Sequence, residues 1–232
     1  PYFDLMYETV CSMLAKSGNI NHKYLNAGSS EKKAVIVITA NRGLAGGYNS
    51  NITKLVTNGD IRKEDALIYA IGRKGREVFD RKGYTIKADY SDVIDNPMYT
   101  DAKQICDEVL KAFTDGEIGE IYLAYTSFKN TVDKSLANAD NNKQADTTPM
   151  NYEPEEGEAL DMIIPKYVCS LIYGALVEAV ASENGARMQA MDNATSNAEE
   201  MISDLSLKYN RARQGSITQE LTEIIAGANA IE

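Results

Sequence analysis

Two hydrophobic rhythms divide the chain. Between residues 34 and 125, short apolar runs alternate with stretches whose apolar residues recur every three or four positions. Ala34-Val35-Ile36-Val37-Ile38-Thr39 and Ala66–Ile71 are unbroken and rich in β-branched residues. Such runs suit strands buried on both faces, as in a parallel sheet under helices. Tyr84–Ala88 reads as a short strand nearer an edge, and Glu120–Tyr125 as another strand. Helices are expected near Asn49–Thr57, around Gly75–Lys82, and from Pro97 through Phe113. The last of these carries Ala102, Ile105, Cys106, Val109 and Leu110 on one face. Strands alternating with helices give an α/β fold, a three-layer domain. Ahead of it, Pro1–Ser17 is spaced as an amphipathic helix through Leu5, Met6, Val10, Met13 and Leu14, ended by Gly18–Asn21. Asn26–Lys33 reads as a polar loop.

The second rhythm is long. Thr131–Glu158 is polar, with Pro149 and Pro154, and reads as a loop with one edge strand at Thr131–Leu136; Tyr152-Glu153-Pro154 reads as a short extended segment laid back on the domain. A helix then begins near Ile163, with Pro165 in the first turn, where the backbone N–H groups are spare. Its opening turns carry a wide apolar stripe of Val168, Leu171, Ile172, Ala175, Leu176, Ala179 and Val180. A wide stripe packs on a sheet or on several helices. Further along, Met188, Met191, Thr195, Ala198, Ile202, Leu205, Tyr209 and Ala212 step alternately by three and four, the spacing of a heptad seam. After Ala212 the seam slips by one and continues through Ile217, Leu221, Ile224 and Ala228. At ~1.5 Å per residue this helix is on the order of 100 Å long. The division expected is a globular domain over residues 1–162 and a coiled-coil helix over residues 163–232, its seam spaced for a partner helix.

Composition narrows the functions. The 232 residues carry a net charge of −10, which argues against nucleic acid as a partner, since such proteins present a basic stripe to phosphates. No apolar run is read as reaching the ~18–20 residues of a membrane span, and no basic-then-apolar leader opens the sequence. Cys11, Cys106 and Cys169 are scattered and odd in number, which suits reduced thiols. His22 is the only histidine, which argues against metal sites and histidine-based triads.

The candidate chemistry is sparse. Gly43-Leu44-Ala45-Gly46-Gly47 follows the first strand, where a glycine loop ahead of a helix can hold phosphate. It fits neither G-x-G-x-x-G nor G-x-x-x-x-G-K-[ST], so a tight turn with close packing is the plainer reading. Arg73, Lys74, Arg76, Arg81 and Lys82 make a basic helix face, solvated or facing an acidic partner. No carboxylate pair is placed for acid–base work. Arg213, Gln214, Thr218 and Glu220 fall on roughly one side of the long helix.

The run from Ala181 to Ala230 resembles the C-terminal signature of the gamma subunit of F-type ATP synthases. The matching pieces are Ala181-Ser182-Glu183, Ala186-Arg187-Met188, Ala190-Met191, Ala194–Ala198, Tyr209-Asn210-Arg211, Arg213-Gln214 and Ile217–Ile224. The glycine turn is similar too, with Asn41 where the family usually has Asp and Ala45 where it has Cys. The resemblance implies a central rotor shaft, itself non-catalytic and without a cofactor, that couples proton-driven rotation to ATP synthesis or hydrolysis. The implied partners are the catalytic and non-catalytic head subunits, the epsilon subunit and the membrane rotor ring. The implied location is peripheral, on the cytoplasmic side of a bacterial plasma membrane. The implied head-contacting residues are Arg187, Met188, Arg213, Gln214, Thr218 and Glu220. The implied fold is a Rossmann-like domain that binds no nucleotide, followed by a very long C-terminal helix that forms half of an antiparallel coiled coil. Family members open with a long N-terminal helix antiparallel to the C-terminal one, and Pro1-Tyr2-Phe3 matches a point after it. On this reading the seam lacks its native partner; in isolation either the helix beyond about Glu183 frays or two chains pair their seams antiparallel as a homodimer, the outcome favoured at high concentration. The rival readings are a nucleotide-binding α/β enzyme with a coiled-coil extension, and a generic coiled-coil adaptor.

Overall fold

The computed structural model describes residues 22–24, 28, 30–127 and 156–229. The expectations for Pro1–Ser17, Gly18–Asn21, Thr131–Leu136 and Tyr152–Pro154 lie outside them. The elements run β1 (Lys33–Ile38), α1 (Tyr48–Thr57), β2 (Ala66–Ile71), α2 (Arg73–Arg81), β3 (Thr85–Asp89), a 3₁₀ turn (Ser91–Asp95), α3 (Tyr99–Thr114), β4 (Glu120–Ala124) and α4 (Glu156–Asn229). By contact the chain forms two compact units, Pro1–Arg187 and Met188–Glu232.

The first unit is built on a four-stranded parallel sheet in the order β3-β2-β1-β4. Its central strands, β1 and β2, are buried on both faces, as their unbroken apolar runs require. Alternate residues serve opposite layers. Val35, Val37, Ile68 and Ala70 pack under α1 and α2 with Ile52, Val56 and Phe79. Ala34, Ile36, Ile38, Leu67, Tyr69 and Ile71 pack under α3 and the first part of α4, with Ile105, Val109, Cys169, Ile172 and Leu176. Each large aliphatic side chain so buried contributes roughly 1.5–3 kcal/mol. The three-layer α/β class and the edge position of β3 are as the sequence predicts. The 3₁₀ turn is new. It is set by Asp89, whose Oδ1 accepts from the Ser91 N–H at 3.0 Å and from the Ser91 hydroxyl at 2.5 Å.

Two expectations are corrected. The long helix starts at Glu156, so Pro165 stands inside it and not in its first turn. An interior proline removes one helical hydrogen bond and crowds the carbonyl four residues back, a penalty of ~3 kcal/mol. Packing offsets it. Leu160 is fully buried and Ile164 nearly so, in a cluster with Tyr24. Asp161 pairs with Lys23 at 2.8 Å and His22 at 3.2 Å, and the Cys106 thiol reaches the Pro165 carbonyl at 3.5 Å. The second correction concerns membrane length. Within Gly157–Gly227 there is a window long and apolar enough, by composition, for a span, and a third of it is buried in the protein. A core helix passes the same test.

In the second unit, every residue from Met191 to Gly227 is exposed. The seam residues are uncovered: Met188, Ile202 and Tyr209 expose 65%, 64% and 67% of their surface.

Candidate functional site

The carboxyl end of the sheet is where an open α/β fold offers a ligand crevice. Here the donors at the head of α2 are already used. The first three N–H groups of α2 bond inward: Arg73 to Asn41 Oδ1 at 2.9 Å, Lys74 to the Ala40 carbonyl at 3.0 Å, and Gly75 to Thr39 Oγ1 at 2.9 Å. Gly72, at φ +97, and Gly75 let that approach happen. A Cβ on Gly72 would lie 2.0 Å from the Thr39 carbonyl oxygen, and one on Gly75 would lie 2.6 Å from Thr39 Oγ1. At the same end the buried Tyr48 hydroxyl donates to the Ala179 carbonyl of α4 at 3.1 Å, and Ala186 packs in the same apolar layer. Burial, and then the charge of Glu183, push the Tyr48 phenol well above the ordinary tyrosine range. The long helix is thus fastened where a ligand would enter.

The loop after β1 is clamped and strained. Asn41 Nδ2 donates to the Ser91 carbonyl at 2.8 Å and to Asp95 at 2.9 Å. Asn49 accepts from the Ala40 N–H at 2.8 Å and donates to the Arg42 carbonyl at 3.4 Å. Between them Leu44 sits at φ +62 with 80% of its surface exposed. A non-glycine residue in that region costs of order 1–3 kcal/mol and marks a constrained site. Sequence reasoning took the segment for a turn and missed Leu44. The two asparagines flanking the glycines were the available signal.

The six site residues predicted from the sequence fall in two places. Arg187 ends the first unit. Its guanidinium donates to Glu183 at 2.5 Å and reaches Asn184 at 3.5 Å, and it is 21% exposed. Met188 opens the second unit and is exposed. Arg213, Gln214, Thr218 and Glu220 share an exposed helical stretch. Thr218 Oγ1 donates to the Gln214 carbonyl at 2.8 Å, while no ion pair among the described residues engages Arg213 or Glu220.

Other chemistry is quiet. In the basic helix Arg76 pairs with Asp89, and Lys74 with Glu77 at 3.3 Å. Burial raises the Asp89 carboxyl, but its bonds from Ser91 and Arg76 outweigh that and hold it below the usual range. Cys106 and Cys169 are free, buried thiols; burial pushes Cys106 up to about 12, which suits an inert sulfur. Among the described residues no group of His, Cys, Asp or Glu is placed to hold a metal.

A parallel α/β domain running into a long helix with an uncovered apolar seam is an architecture that calls for a helical partner on that seam. A family model described as ATP synthase matches residues 1–231. The ATP synthase gamma chain of Lachnoclostridium phytofermentans is 66% identical, over 100% of this chain and 85% of its own length. The sodium-ion-specific ATP synthase gamma chain of Acetobacterium woodii is 38% identical over the same shares. This chain belongs to the gamma-chain family of ATP synthases. A chain of the Euglena gracilis mitochondrial ATP synthase, solved with OSCP, F1 and the c-ring, has the same fold, with a TM-score of 0.65. The two are 19% identical, and the match covers 99% of this chain and 90% of that one. The family resemblance read from Ala181–Ala230 therefore holds, with the central-stalk role it implies; the nucleotide-binding enzyme is not favoured.

Proposed function

We propose that this chain is the rotor shaft of an F-type ATP synthase, turning with a proton-driven membrane ring and carrying the motion into the catalytic head. One observation carries the mechanism: a helix exposed from Met191 to Gly227 that holds an apolar seam and a polar set on the same rod. A rod of this kind offers different side chains to each surrounding subunit as it turns. Each subunit's conformational equilibrium is biased only by its differential contact with the rod. In this proposal residues 1–162 are the foot, beside the epsilon subunit and the membrane ring, peripheral to the membrane on its cytoplasmic side. Residues 163–232 are the shaft. Arg187, Met188, Arg213, Gln214, Thr218 and Glu220 contact the head. Leu44, on its clamped loop, is an additional contact point.

The test uses the assembled enzyme. Replacing Arg213, Gln214 and Glu220 with Ala would remove the proposed contacts to the head, where each charged hydrogen bond lost costs ~1.5–3 kcal/mol. ATP-driven proton pumping is expected to fall while the melting of the α/β domain stays unchanged. Unaltered pumping refutes the assigned role. In isolation, two copies are expected to pair their seams antiparallel, since a twofold contact covers both stripes. Sedimentation over a concentration series checks this, and a concentration-independent monomer of full helicity refutes it.

A further inference from the structure

The chain holds two Asn-Gly steps, Asn58-Gly59 and Asn184-Gly185, and one Asp-Gly step, Asp115-Gly116. Asn-Gly is where an asparagine side chain most easily meets the next backbone nitrogen, because glycine has no Cβ in the way and its backbone turns freely. Only one of the three steps is open to that encounter. Gly185 lies within α4, its N–H committed to the helical ladder, and Asn184 Oδ1 faces the Arg187 guanidinium at 3.5 Å. The Gly116 N–H is bonded to the Phe113 carbonyl at 3.1 Å. Asn58, by contrast, is the residue just past α1, at φ −103 and ψ 1, with its own N–H tied back to Lys54 at 2.9 Å. Its side chain is exposed, and among the described residues neither that side chain nor the Gly59 N–H makes a hydrogen bond.

We propose that Asn58 is a site of spontaneous covalent modification in the folded protein. The Gly59 nitrogen, giving its proton to a solvent base, attacks Cγ of Asn58. The N–Cγ bond forms, the Cγ–Nδ2 bond breaks, and Nδ2 takes a proton from water and leaves as ammonia. Water then opens the cyclic imide at either carbonyl, giving an aspartyl or an isoaspartyl residue; no oxidant or reductant takes part. The product places a carboxylate beside Asp60 at the carboxyl end of α1, the end the helix dipole makes unfavourable for negative charge. The isoaspartyl form also lengthens the backbone there. Gly59, Asp60 and Ile61 rim an apolar hollow with Leu55, Val56 and Tyr122, so the change reaches a packed edge of the domain.

The experiment incubates the whole chain at mildly alkaline pH, folded and in denaturant, and maps peptides by mass spectrometry over time. In the folded chain Asn58 is expected to convert at least ~10-fold faster than Asn184, the helix protecting the latter until it opens. In denaturant the two rates should converge. Gly59→Ala should slow conversion at Asn58 and leave Asn184 alone. Its Cβ would lie 3.0 Å from the Leu55 carbonyl, so the comparison of folded and denatured wild-type chain stands as the decisive measurement should that variant misfold. Equal rates at Asn58 and Asn184 in the folded chain would overturn the proposal, as would an Asn58 strongly protected by folding.

Discussion

Leu160–Ala186 and Met191–Gly227 belong to one helix and differ in what covers them. In the first stretch Leu160, Ile164, Cys169, Ile172, Ala175, Leu176 and Ala179 are buried in a wide stripe against the sheet layer and its neighbours. In the second the apolar residues are as regular, but Met191, Ile202, Leu205 and Tyr209 each expose half of their surface or more. Propensity alone leaves a helix marginal in water; burial of an apolar face supplies most of its stability. Regular spacing therefore reports where cover is meant to be, and the width of the stripe reports what kind. A wide stripe meets a layer of its own domain, and a narrow seam meets a single partner helix.

The largest expected effect tests that contrast directly. Leu176→Ala should cost ~2–5 kcal/mol, the range for a large-to-small change in a packed core. Leu205→Ala, at 57% exposure, should stay within about 0.5 kcal/mol in a dilute monomer. Denaturant unfolding of both variants, followed by a probe in the α/β domain, makes the comparison. A Leu205→Ala cost equal to that of Leu176→Ala would break it, because the seam would then already be covered.

The contrast was readable in advance where pattern and burial share a cause. Ala66–Ile71 is a strand to the residue because a doubly covered strand is filled with apolar and aromatic side chains on both faces. The long helix was legible through the same kind of regularity, its apolar residues recurring at helical spacing. Legibility failed where distant parts of the chain decide. The helix start was placed too late because Pro165 argues locally for a first turn; His22, Lys23, Tyr24 and Cys106, remote in sequence, hold that turn together. The bond from Tyr48 to Ala179 spans 131 residues and left no local trace. Leu44 was missed because its strain is imposed by Asn41 and Asn49, whose partners lie on other elements or across the loop.

The smallest expected effect uses two ion pairs of the same helix with the same i, i+4 spacing. Glu183 meets Arg187 at 2.5 Å with side chains 13% and 21% exposed, whereas Asp204 meets Lys208 at 2.8 Å with both more than 60% exposed. Each places the acid four residues before the base, the favourable order. Spacing and order being equal, any difference in coupling comes from solvent and from the Glu–Asp and Arg–Lys exchanges. The exposed pair sits in high dielectric and its coupling should be ~0.2–0.5 kcal/mol. It should fade toward zero in 1 M salt, where the screening length is about 3 Å. The covered pair should couple more strongly and lose less to salt. Arg187→Ala alone should also destabilise more than Glu183→Ala, because it strands a mostly buried carboxylate beside the Tyr48 phenol. Double-mutant cycles at low and high salt isolate both couplings. Equal couplings with equal salt dependence would mean that the domain gives Arg187 no more shelter than water gives Lys208. Arg187 would then belong, with Arg213 and Glu220, to the exposed part of the helix.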